Sequence, residues 1–267
     1  MSTLRSRLQI DLLTFKALLQ NDIRLSSALL YPLRRHLHFD NMLTLRSGVS
    51  VTAPNEEPLL HLFREIWMES RYSLPEFSIR IESVIVDIGA HVGTFTVWAA
   101  SRNPTARVIA VEPCDAMLKY LHRNVTINRL DNVSIVEAAC GASEGLVQMF
   151  ARGPAACNTI YPSDNYGSSF KAAGQTKMIT LDRLFSSFAI ERCDLLKLDC
   201  EGAEYEILYS AKKETLDRVH SIAMEYHVGM NQHRPTQLAE HLKRIGFNID
   251  LQALLDQEGG YLFAIRS

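Results

Sequence analysis

The amino-acid sequence predicts an α/β fold: a doubly wound, Rossmann-like sheet of seven strands behind an N-terminal helical and hairpin extension. Three observations carry that expectation. From residue 84 onward, short β-branched runs alternate with segments of helical period, the rhythm of strands and crossover helices in a parallel sheet. The run Val84-Ile85-Val86 is apolar throughout, as suits a strand buried on both faces. It ends in Asp87 and turns through Gly89 and Gly93 into helical sequence, a geometry that brings backbone N–H groups close to a ligand. The boundary between extension and sheet is expected near residue 80, dividing the chain into 1–80 and 81–267.

Within the extension, Leu8, Leu12, Phe15 and Leu19 recur at three- and four-residue steps, so residues 4–38 are helical in pattern, with a break or bend at Pro32. Leu43 to Thr52 alternates around Ser47-Gly48 and is expected as a β-hairpin. Leu59, Leu62, Phe63, Ile66 and Trp67 then form the apolar stripe of a helix. Sheet strands are expected at 84–87, 107–111, 133–137, 194–199, 219–226, 246–250 and 260–266, with helices at 93–102, 114–129, 202–211 and 235–245. Between about 145 and 180 the rhythm breaks. Gly145–Phe150 and Gln175–Thr180 could pair as an insert, leaving Gly153 to Gly174 as a long mobile loop whose Asn158, Thr159, Tyr161 and Tyr166 could line a substrate pocket.

Composition excludes some classes. With 22% charged residues, 47% apolar ones and a formal net charge of −2, nothing suggests nucleic acid as a substrate. No apolar run reaches the length of a membrane span, and no signal-peptide pattern opens the chain. The first fifty residues hold seven Arg and Lys against three Asp, and this basic helical stretch could pack on a second subunit of a homo-oligomer. The five cysteines are scattered and lack a Cys-x-x-Cys pair, the usage of a reduced, cytoplasmic protein without a disulfide framework or zinc site.

Glu112 closes the run Val108 to Val111, 25 positions after Asp87. An acid at the end of the second strand is where a nucleoside ribose is gripped by its hydroxyls, so an adenosine-containing ligand is the first expectation. The spacing is Asp-x-Gly-x-x-x-Gly, not the Gly-x-Gly-x-x-Gly of a dinucleotide site, which counts against a nicotinamide-dependent oxidoreductase. At the carboxyl end of the fourth strand, Lys197, Asp199 and Glu201 share one face if the strand continues that far. Glu201 and the following Glu204 could instead cap the next helix. His227 ends the fifth strand two positions after Glu225, and an imidazole titrating near neutral pH makes it the candidate base. Asp199, Glu201, Glu225 and His227 could also collect a divalent cation, but the spacing is unlike a dedicated metal motif and no metal site is assigned.

Four segments, Asp87-Ile-Gly-Ala-His-Val-Gly93, Val111-Glu-Pro113, Ile179-Thr-Leu-Asp-Arg-Leu184 and Leu196-Lys-Leu-Asp-Cys-Glu-Gly-Ala-Glu204, together resemble the FkbM family of S-adenosylmethionine-dependent methyltransferases. The likeness runs from about residue 43 to 266, and its one departure is His91, where such families often carry Asn or Gly. It implies that S-adenosylmethionine is held by Tyr72, Asp87, Gly89, Ala90, His91, Gly93, Thr94, Glu112, Pro113, Ala139, Cys140 and Asp199, with Ala139 and Cys140 beside the adenine. It further implies O-methylation of a small-molecule or sugar hydroxyl, for which His227, Asp199 and Glu201 are the catalytic candidates. A binding protein that keeps the sheet without catalysis is the other alternative.

Overall fold

The computed structural model describes residues 23–37, 39–69, 71–72, 82–152, 157–162, 170–229, 232–253 and 259–266. Its centre is a seven-stranded sheet built from β3 (Val84–Ile88), β4 (Arg107–Glu112), β5 (Val133–Glu137), β10 (Leu195–Leu198), β11 (Ser221–His227), β12 (Phe247–Ala253) and β13 (Gly259–Arg266). Their spatial order is β12-β13-β11-β10-β3-β4-β5. All neighbours run parallel except β13, which is antiparallel to both β11 and β12. The period of two explains the layering. Ile85, Val108, Leu195 and Ala223 enter one apolar core, while Val86, Ile88, Leu196, Leu198 and Met224 enter the other. Because both faces are covered, these strands carry the near-continuous apolar runs that made them readable in the sequence.

The extension contains α1 (Leu25–His36), the hairpin strands β1 (Asn41–Thr44) and β2 (Ser50–Ala53), and α2 (Leu59–Phe63). Helix α1 continues across Pro32, where a break or bend was expected, and residues 4–22 of the expected helical stretch lie outside the described residues. The hairpin closes as expected, with Leu43 opposite Val51 and Thr44 opposite Ser50. Helix α2 gives way at Arg64–Met68 to a π-helical turn.

Crossover helices α3 (Thr94–Arg102) and α4 (Asp115–Ile127) lie on one face of the sheet, and α5 (Leu181–Ser187), α6 (Glu204–Ser210) and α8 (Pro235–Arg244) on the other; α7 (Lys213–Leu216) is a single turn. α4 fastens the extension. Asn124 Nδ2 donates to the carbonyls of Thr52 (2.8 Å) and Val92 (2.7 Å), and its Oδ1 accepts from Thr52 N (2.8 Å). One turn on, Asn128 does the same for Ser50 N and O (2.8 and 2.6 Å). Two amides at i and i+4 thus supply the partners that the free edge of β2 lacks.

The insert is more ordered than the sequence suggested. β7 (Gly145–Arg152) pairs with β9 (Lys171–Ile179), as expected, but β6 (Ala139–Cys140) and β8 (Cys157–Thr159) join them in a four-stranded sheet. The expected loop from Gly153 to Gly174 is therefore interrupted by β8 and ended by β9 at Lys171, because Phe150 to Arg152 offer ladder partners to Cys157–Thr159. Residues 153–156 and 163–169, including Tyr166, lie outside the described residues. Among the described residues, no helix is long and apolar enough to cross a membrane.

Candidate functional site

A cavity of about 260 Å³ opens at the carboxyl ends of β3, β4 and β10. This is where the strand order reverses, since β4 and β5 lie on one side of β3 and β10 and β11 on the other. Gly89 and His91 come from the first turn, Glu112 and Pro113 from the second, and Asp199, Cys200 and Glu201 from the fourth. Ala138, Ala139, Cys140, Met149 and Ile160 form an apolar wall, and Glu57, Pro58 and Leu62 of the extension close the opposite side.

At one end, Glu112 is buried with each oxygen accepting one backbone N–H: His91 N on Oε2 (2.8 Å) and Cys114 N on Oε1 (2.9 Å). A carboxylate has about four acceptor positions, so each oxygen retains capacity for a further donor. Burial raises the Glu112 pKa, against the pull of His91 and the two N–H groups. His91 has a left-handed backbone (φ 54°), which turns its N–H onto Glu112. Its Nε2 sits 3.5 Å from Glu57 Oε2; burial opposes protonation of the ring, but the Glu57 contact outweighs it and the pKa rises.

Away from the cavity, the glycine turn packs closely against protein. Gly89 has φ 78°, and a Cβ there would overlap the backbone carbonyl of Asp199, so the ends of β3 and β10 touch main chain to main chain. Gly93 (φ 86°) backs onto Leu121. Ala90 packs in a small core with Leu118 and Leu121, and Thr94 is buried at the start of α3, so Ala90, Gly93 and Thr94 support the turn without lining the cavity. Asp87, expected on the ligand, does not line the cavity either. It is fully buried, Thr96 Oγ1 donates to its Oδ2 (2.6 Å), and Lys197 Nζ lies 3.1 Å from its Oδ1.

The other end of the cavity is built from ionisable side chains. Lys197 is buried between Asp87 and Asp199 (Nζ to Asp199 Oδ2 3.7 Å) and donates to the Gly89 carbonyl (2.8 Å). Tyr72 does not line the cavity but stands behind Asp199. Its hydroxyl is 3.0 Å from Asp199 Oδ2 and 3.0 Å from Glu225 Oε2. Tyr261 Oη donates to the same Glu225 oxygen (3.1 Å) and accepts from Arg71 Nη1 (2.7 Å). Burial works to raise the Asp199 pKa, but Lys197, His227 and Tyr72 outweigh it and hold the carboxyl below its ordinary range. Burial and Asp199 push Glu225 up to about 7.

His227, expected as the base, sits among carboxylates that favour its protonated form. Burial disfavours its charge, but Glu204, Glu201 and Asp199 prevail and push its pKa up to about 10. Its Nδ1 is 3.1 Å from Glu204 Oε1, and its Nε2 is 3.6 Å from Glu201 Oε2. A ring protonated at neutral pH has no lone pair with which to take a proton. Glu204 is fully buried and caps the turn, accepting from Cys200 N and Gly202 N (both 2.9 Å). Glu201 does line the cavity, though not by strand alternation: β10 ends at Leu198, and Glu201 sits in the following turn at φ 53°. Thr159 is drawn to that turn, donating to the Glu201 carbonyl (2.6 Å), so it braces the site; Tyr161 packs against the core, and the Asn158 side chain lies outside the described residues.

Sequence reasoning missed Glu57 and Leu62 from the extension, and Met149 and Ile160 from the insert. Nothing local marks them, because they reach the cavity only through tertiary packing. No group of three or more His, Cys, Asp and Glu suited to a metal ion occurs among the described residues.

The chain matches the model of the Methyltransferase FkbM domain over residues 87–261. It is 24% identical over 260 aligned residues to the AMB antimetabolite synthetase AmbE of Pseudomonas aeruginosa, covering 83% of this chain and 12% of that protein, so it corresponds to a small part of the synthetase. The 31-O-demethyl-FK506 methyltransferase FkbM of Streptomyces tacrolimicus is 21% identical over 210 residues, covering 69% of this chain and 81% of that protein. Among solved structures, methyltransferase FkbM from Methylobacillus flagellatus aligns with a TM-score of 0.48 at 17% identity, over 96% of this chain and 60% of that chain.

Proposed function

The chain belongs to the FkbM methyltransferase family, and from that premise we propose that it methylates an oxygen of a small molecule or sugar at the expense of S-adenosylmethionine. The observation that carries the cofactor reading is Glu112, a buried carboxylate at the end of β4 with two backbone N–H groups fixing it and lone pairs left for a ribose diol. The other groups suit the same ligand. The wall of Ala139, Cys140, Met149 and Ile160 would take the adenine, and Asp199 supplies negative charge at the far end for a cationic sulfur. When bound, S-adenosylmethionine supplies an electrophilic methyl group on that sulfur.

What the chain contributes is position, exclusion of water and a destination for the acceptor's proton. The Gly89–Asp199 backbone contact and the Lys197 bridge fix Asp199 against the first turn. An oxygen acceptor is favoured because a hydroxyl must lose a proton, and two carboxyl groups stand at the reacting end. The Streptomyces relative is named for an O-demethylated substrate, in keeping with that choice. Calorimetry with S-adenosylhomocysteine and with NAD tests the reading: S-adenosylhomocysteine should bind with a Kd of about 1–100 μM, roughly 5–8 kcal/mol. Binding of NAD without binding of S-adenosylhomocysteine would overturn it.

A further inference from the structure

Two carboxyl groups near Tyr72 depend on one phenolic proton. Tyr72 Oη is 3.0 Å from both Asp199 Oδ2 and Glu225 Oε2, yet it can donate to only one of them at a time. Asp199 lines the cavity, while Glu225 stands behind the phenol and does not. The Tyr261 proton also points at Glu225 Oε2, because Arg71 occupies the Tyr261 oxygen as a donor. The groups that face Glu225 are Asp199, His227, Glu65, Tyr72 and Tyr261, with Arg71 behind the last.

We propose that Asp199, Tyr72 and Glu225 form a proton relay in which Asp199 takes the acceptor's hydroxyl proton and Tyr72 passes it on to rest on Glu225. This rests on the S-adenosylmethionine reading above. As the acceptor's O–H bond breaks, its oxygen bonds the methyl carbon, and the pair of the broken C–S bond stays on sulfur, which loses its positive charge. The proton goes to Asp199 Oδ2, the Tyr72 oxygen takes it up, and the phenolic proton moves to Glu225 Oε2. Charge balances: one positive charge disappears from sulfur as one negative charge disappears from the carboxyl pair. Like-charged carboxylates at this separation resist joint ionisation, and a cation beside Asp199 relieves that resistance. Burial and Asp199 place the Glu225 pKa near 7, so the proton it loses to solvent when the sulfonium form binds is restored by the acceptor's proton when the neutral product remains.

The relay makes a claim that needs no acceptor. Binding S-adenosylmethionine should expel a proton that binding S-adenosylhomocysteine does not. Titration calorimetry of both ligands in two buffers of different ionisation enthalpy, from pH 6 to 8, counts those protons. The wild type should release about half a proton more with S-adenosylmethionine near pH 7, since a group titrating there is about half protonated. Glu225→Gln should abolish the difference and Glu225→Asp should restore it. Tyr261→Phe removes a hydrogen bond to the charged form and should move the midpoint of the difference upward in pH. Equal proton counts for the two ligands, both bound by wild type, would overturn the relay even if the variants fail to fold. Absence of binding by either ligand would overturn the cofactor reading instead.

Discussion

The two ends of the cavity are made in different ways. Around Glu112 the protein uses its own backbone: two N–H groups on one carboxylate, supplied by residues within about twenty positions of it. Around Asp199 it uses side chains gathered from across the chain, from Tyr72 and Asp87 to Lys197, Glu225 and His227. The first arrangement is fixed by local main chain. The second responds to charge, because several ionisable groups there shift one another.

The contrast can be broken most severely at the point both ends share. Gly89→Val places a Cβ against the Asp199 carbonyl at a positive φ. It should abolish S-adenosylhomocysteine binding and lower Tm by about 5–15 °C, as a strain of several kcal/mol does in a domain of this size; scanning calorimetry and ligand titration would show both. Next in size, Asp199→Asn should weaken S-adenosylmethionine about 1,000-fold while changing S-adenosylhomocysteine much less. A charge about 4 Å from another is worth roughly 4 kcal/mol at the effective dielectric of a protein surface. Equal losses for the two ligands would mean that the reacting end does not read charge.

Glu112→Ala should do the opposite and weaken both ligands alike, by about 1.5–3 kcal/mol, the scale of hydrogen bonds to a charged group. Unchanged affinity in a folded variant would remove the ribose assignment. The smallest effect is expected from His227→Asn, which should leave ligand affinity nearly intact and instead alter the pH dependence of stability. The folded-state pKa of His227 is raised, so its stabilising contribution is fully present below about pH 6.5 and is lost as pH rises through about 10. Melting temperatures of wild type and variant should therefore differ most at pH 6 and converge near pH 11.

Much of the molecule was legible in its sequence, for reasons that also explain the errors. Val84 to Val86 and Val108 to Val111 announce buried strands because both faces of a parallel sheet are covered. Glu112 could be placed at the cavity from its position because the neighbours that fix it are local backbone. Asp87 could not, since its partner Lys197 is 110 positions away and reaches it only through the β3–β10 pairing. The surroundings of His227 were hidden for a similar reason. Its ordinary pKa suggests a base, but Glu204 and Glu201 come beside it only in the fold and keep it charged. Tyr72 carried a contact expectation from family resemblance, and its actual place between two carboxyls depends on Glu225, 153 positions on. Local rules read elements and backbone sites well, and side-chain networks poorly.

The main-chain contact between Gly89 and Asp199 bears on how the molecule folds. It exists only once β3 and β10 lie side by side, with Val86 opposite Leu196, and closing so long a stretch of chain is slow. Contacts of such high sequence separation that are absent from the folding transition state act on the escape from the native state. A ligand that spans both turns should therefore lengthen the unfolding half-life while leaving the refolding rate nearly unchanged, delaying loss of the fold without hastening its formation.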